Sequence, residues 1–566
     1  MAGTSFANRP PGLFWLDYLK TPTPSDERIR RRNLSKTLAR TLDRTAVLGN
    51  DDDYGHQGCV NAVSWAEDGN LLLTAGDDTT VRLWRMDPAS DSSGSDYPFV
   101  CRSVIQTGHR ANIFNCDMLP YSNKIVTCAG DRQIRVFDAT IALDVRDGLE
   151  TEFSARELSG RVIRCHKHRV KKIVTEESPD LFLSLSEDGT VRQHDLRVKH
   201  RCTEGECPSP LVEMRDSDGD FVELSNMSLS RMTPYQFVVV GESPCGYLFD
   251  RRQLKRVMEY EWGTVPRAGE GVTTCVRRFG RPPQVPTNER SRQLDHISGC
   301  RMSNTNGHEV ILSYLKDKIY LFSTLDDPIM NDNMSKTEKP IVAPNPKPVP
   351  RKTRKESSRS IDEPMLAEGH SEDEEEGEPD LVGEDSSDDD EEDEEEELEA
   401  FFNERSSPNE WLYPGVPIVH PRRSYSGHRS RDTIKDVNFL GPYDEYVVSG
   451  SDDGNWFVWH KDTGKVHGIY EGDDSVVNVV EGHPHLPLVA VSGIDHTVKL
   501  FSTAPRGESG SSRMHKAHEI IEGNERYKPV LRIPLASLLM QHIMRTDSEG
   551  GEGQGEDGAP PGCPTQ

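Results

Sequence analysis

The chain has 566 residues, of which 34% are hydrophobic and 29% are charged. That apolar share is low for one compact body of this length, so we expect part of the chain to be disordered. The net charge of −28 is concentrated in one place, because 20 of the 30 residues from Ser371 to Ala400 are Asp or Glu and none is Lys or Arg. Without that stretch the charge is about −8, an ordinary value that excludes a uniformly acidic surface.

Membrane insertion and secretion are not expected from the sequence. No run approaches the ~18 consecutive apolar residues of a membrane-spanning helix. The first 20 residues lack the basic start and apolar run of a secretory signal. The 11 cysteines have no regular short spacing, which predicts reduced thiols that are mostly buried in strands. We therefore expect the protein in the nucleus, the cytoplasm or both.

Residues 1–50 are predicted to form a helical docking segment ahead of the first repeat. An apolar and aromatic cluster includes Trp15 and Leu16, and after two prolines Leu34 and Leu38 follow at helical spacing among arginines. Two short helices are expected. They either pack on the rim of the protein itself or insert into a groove of a partner. Direct nucleic-acid binding is less favoured, because the basic run is short and lacks aromatic residues for base stacking.

A repeated unit begins at His56, which lies 22 residues before Asp78 and 28 residues before Trp84. The residues between them form two alternating apolar segments and an Asp turn, which is the pattern of a WD repeat. The same spacing recurs three times, at His109, Asp131 and Phe137, at His166, Asp188 and His194, and at Asp473, Asp495 and Phe501.

Three further units bring the total to seven. One contains His428, Asp453 and Trp459, and its His-to-Trp interval of 31 is three residues longer. Two weaker units cover residues 237–250 and 310–322. Since a four-stranded blade cannot bury both of its faces alone, such blades stack around an axis. The sequence therefore predicts an all-β, seven-bladed WD40 propeller with an N-terminal helical extension and a disordered acidic insertion.

The recurring polar residues are interpreted as structural. In a WD repeat the His, the turn Asp and the aromatic residue join a Ser or Thr in a hydrogen-bonded set, and Thr74 is the expected partner in the first unit. A catalytic triad of His56, Asp78 and Ser64 is disfavoured, because the same residues recur in successive units. A zinc site around Cys165 and His166 is also disfavoured, since the sequence contains no Cys-x-x-Cys pair. No catalytic residue, metal or cofactor is expected.

The remaining boundaries follow from composition. Residues 51–327 are predicted to contain blades 1–5, 328–405 a disordered basic and acidic insert between the fifth and sixth repeats, 406–503 blades 6 and 7, and 504–566 a tail with one short helix. The basic part of the insert is either a nuclear import signal or a solvated linker. The acidic part either binds histones or other basic proteins or aids solubility. Whether Ser371, Ser386 or Ser387 is phosphorylated stays open.

Two short motifs end the third and fourth units. They are His194-Asp195-Leu196-Arg197 and Phe249-Asp250-Arg251-Arg252. Paired motifs of this kind in consecutive blades resemble those of the WD-repeat substrate receptors of cullin-4 RING ubiquitin ligases. The strings at 433–439, 448–454, 483–487 and 492–496 resemble one branch of that family, which carries an acidic insert before its last two blades.

That resemblance implies a function and a set of contact residues. Such receptors bridge a three-propeller, damaged-DNA-binding-type adaptor and a protein substrate, which the sequence does not identify. By motif position, Arg197 and Arg252, with Asp195 and Asp250, would contact the adaptor, and the N-terminal helices would insert into its cleft. His194 departs from the usual Trp. Two alternatives stay open: the arginines form salt bridges of the fold, or the protein is a chromatin or transcription scaffold without a ligase.

Overall fold

The computed structural model describes twelve parts of the chain, which are residues 24–50, 55–87, 97–146, 148, 150–198, 210–216, 219–254, 273–282, 296–328, 412–413, 415–504 and 509–527. Trp15, Leu16, the acidic run and the helix expected in the C-terminal tail lie outside these residues. All described residues belong to one unit, formed by residues 1–329 and 411–566. Seven sheets make up this unit, and each is antiparallel apart from one short parallel edge strand in two of them. This confirms the predicted seven-bladed β-propeller.

The first four blades contain the following strands, in order from the channel outwards. They are β2 Val60–Ala66, β3 Leu71–Gly76, β4 Thr80–Met86 and β5 Phe99–Gln106 in blade 1; β6 Ile113–Met118, β7 Lys124–Ala129, β8 Ile134–Asp138 and β10 Arg161–Ile163 in blade 2; β11 Val170–Thr175, β12 Leu181–Ser186, β13 Thr190–Asp195 and β14 Pro210–Glu213 in blade 3; β15 Leu224–Leu229, β16 Gln236–Gly241, β17 Cys245–Leu254 and β18 Thr273–Gly280 in blade 4.

The last three blades and the helices complete the architecture. Blade 5 has β19 Ile297–Met302, β20 Glu309–Tyr314, β21 Ile319–Ser323 and β23 Arg423–Tyr425; blade 6 has β24 Val437–Leu440, β25 Tyr446–Gly450, β26 Asn455–His460 and β27 Val466–Glu471; blade 7 has β28 Val477–Gly482, β29 Leu488–Gly493, β30 Val498–Thr503 and β1 Leu42–Leu48. Two short strands add to the edges of blades 1 and 4, namely β9 Thr151–Ser154 and β22 Ile418–Val419. The helices are α1 Pro24–Leu38, α2 Thr140–Leu143 and α3 Ala517–Arg526, with 3-10 turns at Glu67–Gly69 and Met514–Lys516.

The second strand of each blade is buried on both faces, including those of the weak fourth and fifth repeats. In β16 and β20 every residue after the first is buried. Such strands appear as continuous apolar runs without the alternation of a half-exposed strand. The cysteines follow the same logic: all eight in the described residues are buried thiols. Burial raises the pKa of the Cys128 and Cys275 thiols to about 12.

The insert interrupts a blade. The outer strand of blade 5, Arg423–Tyr425, follows the insert and pairs with Ile319–Leu321. The sequence interpretation placed residues 328–405 between the fifth and sixth repeats and assigned residues 406–503 to the last two. The structure differs because each sequence repeat starts in the connection after an outer strand, whereas each sheet ends with that strand.

The N-terminal segment closes the ring. Strand β1 pairs antiparallel with β30, from Leu42 opposite Thr503 to Leu48 opposite Val498. Residues 42–48 are therefore part of blade 7, although the sequence interpretation assigned all of residues 1–50 to a docking segment. The physical reason is the unpaired edge that blade 7 would otherwise expose.

Leu34 and Leu38 of helix α1 are only 4% exposed and pack in one apolar cluster with Tyr446 and Val480. This corrects the expectation that these two leucines contact a partner, since their apolar surface is already covered by blades 6 and 7. The side of helix α1 that carries Leu34 and Leu38 therefore packs on the rim of the propeller, as in the first of the two alternatives, and does not insert into a partner groove.

The recurring polar residues form hydrogen-bonded sets in the first three blades. His56 bonds Asp78 at 2.9 Å and Thr74 at 2.7 Å, and Trp84 Nε1 donates to Thr74 at 2.9 Å. His109 with Asp131 and Thr127, and His166 with Asp188 and Ser184, repeat the arrangement. In blade 3 the imidazole of His194 replaces the indole, because its Nε2 lies 2.8 Å from Ser184 Oγ.

Blades 6 and 7 use lysine in place of these sets. In blade 7 Lys499 contacts both Asp473 and Asp495. In blade 6 the fully buried Lys435 pairs with Asp452. The longer interval in blade 6 moves His428 out of register, so neither of its ring nitrogens has a hydrogen-bond partner among the described residues.

The C-terminal helix occupies the position that this shift leaves in blade 6. Asn524 of helix α3 donates to Asp453 at 2.8 Å and to the Gly427 carbonyl at 2.9 Å. Trp459 Nε1 donates to the Ser426 carbonyl at 2.9 Å instead of to a side chain. The set predicted from His428, Asp453 and Trp459 is therefore replaced by contacts with helix α3 and with the backbone.

The role of strand β1 leads to a first prediction. Removal of residues 1–23 leaves every described contact in place, so we expect the melting temperature to stay close to that of the full chain. Removal of residues 1–48 exposes the edge of β30 and deletes Leu34, Leu38, Leu42 and Leu48 from the core. We expect this second chain to lose its cooperative unfolding transition in differential scanning calorimetry. An unchanged transition would show that closure by β1 is dispensable.

A second prediction concerns pH. Burial and the nearby Lys435 ammonium lower the pKa of His428 to about 4, whereas an unfolded His titrates near 6.5. The unfolded state therefore binds more protons between these values, and stability falls as pH decreases through this window. At pH 5 the loss from His428 is about 2 kcal/mol.

Phenylalanine at position 428 keeps the contacts with Phe457 and Trp459 and cannot be protonated. We expect His428→Phe to show a smaller decrease in melting temperature between pH 7.5 and pH 5 than the wild type. His518→Phe, at an exposed position, is the control and should follow the wild-type curve. Parallel curves for His428→Phe and wild type would contradict a buried neutral histidine.

Candidate docking face

The two ends of the propeller carry different parts of each blade. The first strand of every blade lines the central channel, so the turns between the first and second strands lie at one end, together with the connections between the third and fourth strands. We call this end the front face. The opposite end, the back face, carries the turns between the second and third strands, the connections between blades and the hydrogen-bonded His-Asp sets. The structure thus separates the bracing sets from the front face.

The two Asp-x-Arg motifs lie on the front face of blades 3 and 4 and have the same geometry. Arg197 Nε and Nη2 donate to the two Asp195 carboxylate oxygens at 2.9 and 2.7 Å. Arg252 makes the same two bonds with Asp250, also at 2.9 and 2.7 Å. The side chains of Arg197 and Arg252 are 66% and 62% exposed. Each aspartate therefore holds a solvent-facing guanidinium in a fixed orientation.

The surroundings of the two arginines differ in detail. The hydrogen bonds from Arg197 lower the pKa of Asp195 to about 2, and Arg252 lowers the pKa of Asp250 in the same way. The guanidinium of Arg252 also stacks on the ring of Tyr235, with its carbon 3.6 Å from the ring centroid. The Asp250 side chain is only 3% exposed. Both arginines remain charged and presented to solvent.

Helix α1 lies at the same end. Arg31 donates to the Pro442 carbonyl, and its guanidinium lies 4.8 Å from the ring centroid of Tyr443. Both partners belong to the turn between the first two strands of blade 6. The described part of the N-terminal segment thus reaches the front face over blade 6, whereas the Asp-x-Arg motifs occupy blades 3 and 4.

Exposed apolar side chains are also concentrated at the front face, which sequence analysis did not anticipate. Of the ten large hydrophobic residues that are exposed in the described chain, seven lie in front-face turns or on α1: Ile29, Tyr121, Ile141, Val198, Met232, Leu325 and Tyr443. The turn residues break no repeat pattern, so only their apolar character within turns could have marked them. Clustered exposed apolar residues indicate an interaction surface.

The central channel opens at the front face and has a volume of about 1130 Å³. Charged residues from non-adjacent blades pair across it. Arg301 of blade 5 lies 3.4 Å from Glu481 of blade 7, and Lys172 of blade 3 lies 3.4 Å from Asp436, which precedes the first strand of blade 6. These pairs stabilise the arrangement of blades around the axis.

The described residues contain neither a metal-binding cluster nor a membrane-spanning helix. No group of three or more His, Cys, Asp or Glu side chains has a metal-binding arrangement. No described helix is both long and apolar enough to cross a bilayer. His200, Cys202 and Cys207, the other candidate ligands of the zinc site considered above, lie outside the described residues, and Cys165 is a buried thiol.

Comparisons with known proteins identify the repeats. The family model described as WD domain, G-beta repeat matches residues 51–85, 100–138 and 419–460. The WD repeat protein iqw1 of Schizosaccharomyces pombe is 25% identical, over 83% of this chain and 90% of its own length. Protein ALTERED SEED GERMINATION 2 of Arabidopsis thaliana is 29% identical over 55% of this chain.

The human DDB1- and CUL4-associated factor 6 is 30% identical over 276 residues, which is 48% of this chain. The chain spans 39% of the length of the Arabidopsis protein and 27% of that of the human factor. These comparisons and the seven sheets agree: the chain carries WD40 repeats in a seven-bladed β-propeller, a fold that is typically non-catalytic, and its relatives include a factor named for association with DDB1 and CUL4.

Proposed function

We propose that this protein is the substrate-recognition subunit of a cullin-4 RING ubiquitin ligase and is not itself an enzyme. Its front face binds the three-propeller, damaged-DNA-binding-type adaptor, and another surface holds a protein substrate. The observation that carries this proposal is the pair of equivalent, exposed Asp-Arg forks in adjacent blades. The name of the human relative supports the same partner class.

The physical character of the front face supports protein binding. A guanidinium held by a neighbouring carboxylate has lost part of its rotamer freedom before a partner arrives, so less entropy is lost on binding. The exposed apolar residues on the same face supply surface for burial. Exposed ion pairs between near neighbours contribute little to folding, which favours an interface role over a bracing role.

In this role the protein performs no bond chemistry. It raises the effective concentration of substrate lysines near a ubiquitin-conjugating enzyme. The bracing sets on the back face and the ion pairs in the channel keep the blades rigid, so a substrate held on the propeller has a defined position relative to the adaptor. The proposal places the complex in the nucleus, the cytoplasm or both.

The arginine pair gives the decisive test. We expect Arg197→Ala with Arg252→Ala to abolish capture of the purified adaptor, because truncation of an interface arginine typically weakens binding about thirtyfold. Lys at both positions should not restore capture, since the planar fork is lost. The melting temperature should change by no more than about 2 °C, because both arginine side chains are exposed and the buried Asp250 keeps its hydrogen bonds from Gln236 and from the backbone N–H of residue 252.

A matched control is Arg110→Ala with Arg526→Ala, which removes two exposed arginines away from the front face, one of them in a local pair with Glu522. This control should capture the adaptor normally. Full capture by the Arg197 and Arg252 double variant would exclude the assigned role. Lost capture with a large decrease in melting temperature would identify the arginines as salt bridges of the fold. A wild-type chain that recovers histone tails but no adaptor would support the scaffold alternative.

Helix α1 provides a separate test of the same face. Ile29 is 50% exposed, so Ile29→Asp should leave the melting temperature unchanged. We expect it to weaken adaptor capture measurably, because the charge opposes burial of this position. Val162→Asp, at an exposed apolar residue on the outer strand of blade 2, is the control. Equal capture by both variants would remove helix α1 from the interface.

A further inference from the structure

Exposed cationic residues cluster on the back face of blades 2 and 3. They come from the connections before the two blades and from one turn within blade 2. We call them the basic patch, and its members are Arg110, Arg132, Arg164, Lys167, His168 and Arg169.

The repeat architecture fixes the positions of this patch. Arg110 and Lys167 each follow the histidine of a hydrogen-bonded set, in blades 2 and 3 respectively. Their backbone N–H groups donate to Asp131 at 3.1 Å and to Asp188 at 2.9 Å. Arg132 directly follows Asp131, with a left-handed φ of 66°. Arg110 and Lys167 therefore occupy equivalent places in neighbouring blades, on backbone that these hydrogen bonds hold in position.

Little of this charge is neutralised within the described residues. The carboxylates of Asp131 and Asp188 are already paired with buried histidines. Arg169 approaches Glu187 only at 3.9 Å, and its side chain stays 64% exposed. The four other strong cations have no carboxylate partner among the described ion pairs: Arg110, Arg132, Arg164 and Lys167.

The field of these residues reaches a neighbouring group. Arg135 lies beside the patch and donates to the Thr107 carbonyl at 2.8 Å and to Gln133 at 3.0 Å. Burial lowers the pKa of Arg135, and the positive charges of Arg164 and Arg110 lower it further. The Asp131 carboxylate offsets part of this effect, but it is shared with His109, so an anionic ligand would relieve the remaining repulsion between like charges.

The borders of the patch limit the length of its ligand. Exposed carboxylates at Asp216, Asp220 and Glu223 lie in the next connection, before blade 4. A long polyanion that continued past blade 3 would meet this negative charge. The exposed aromatic residue in that connection, Phe221, is covered by the Arg215 guanidinium at 3.8 Å, so it offers no free stacking surface for bases.

We propose that the basic patch binds a short acidic segment of a protein partner, rich in Asp and Glu or carrying phosphorylated Ser or Thr. Arginine forks suit both carboxylate and phosphate oxygens. The patch lies on the face opposite the Asp-x-Arg motifs, so a partner can occupy it while the front face is engaged. The proposal that this partner is the substrate of the ligase rests on the proposed function, whereas binding of an acidic peptide to the patch does not.

The test is fluorescence anisotropy with three labelled probes of about ten residues or nucleotides. They are a peptide rich in Asp and Glu, a neutral peptide with one phosphoserine, and a single-stranded DNA of random sequence. Each is titrated with the full chain at low and at physiological salt. A second full-length chain is titrated in parallel, in which the 20 Asp and Glu residues of 371–400 are changed to Asn and Gln. This chain shows whether the acidic run of the wild type competes with the probes for the basic patch.

We expect at least one peptide to bind, more weakly at higher salt, and Arg110→Glu with Lys167→Glu to weaken it at least tenfold. Arg156→Glu with Lys465→Glu makes the same change in net charge at exposed positions elsewhere and should bind as the wild type does. The difference between the two peptides tells carboxylate from phosphate recognition. Three outcomes would overturn the proposal. Neither the wild type nor the chain with the amide substitutions binds a peptide; the patch variant and the control variant weaken binding equally; or the DNA binds more tightly than the peptides in a way that depends on the patch. Each of these outcomes is independent of adaptor capture.

Discussion

The pairing of β1 with β30 is the interaction on which the rest of the structure depends. Seven stacked sheets leave no free edge in blade 7 only when an outer strand completes it, and that strand comes from residues 42–48. Only three residues separate helix α1 from β1, so ring closure also positions the helix over blades 6 and 7. The location of α1 at the front face is therefore a consequence of closure.

Bracing within the blades is achieved by more than one chemistry. Blades 1 to 3 use a histidine between a carboxylate and a hydroxyl, and blades 6 and 7 use a lysine beside buried carboxylates. A buried charge requires a partner and further hydrogen bonds. Asp452 satisfies this requirement, since it accepts the backbone N–H groups of Arg431 and Asp432 in addition to the Lys435 ammonium. Helix α3 adds Asn524 in blade 6, where His428 is out of register.

This division of labour leaves the two ends with different surfaces. At the back face the bracing sets hold the connections between blades in place. The backbone of Arg110 and Lys167 in the basic patch is held in the same way, by hydrogen bonds to Asp131 and Asp188. The front face carries the Asp-Arg forks, helix α1 and most of the exposed apolar residues in the described chain. Two chemically distinct faces on one rigid ring are what a bridging protein requires, because two partners can be held at once at a fixed separation.

The sequence by itself determined the seven blades and the bracing residues of the first three, because His, Asp and Ser or Thr must recur at fixed spacing to meet in each blade. It also placed Arg197 and Arg252 at equivalent positions of adjacent blades. Tertiary structure alone decided the role of residues 42–48, since pairing between residues 450 or more positions apart has no local signature. It likewise decided that Leu34 and Leu38 face the propeller, that His428 lacks a partner, and that cations from three separate segments form one patch. Each of these depends on which blades become neighbours, and no periodicity within a repeat records that.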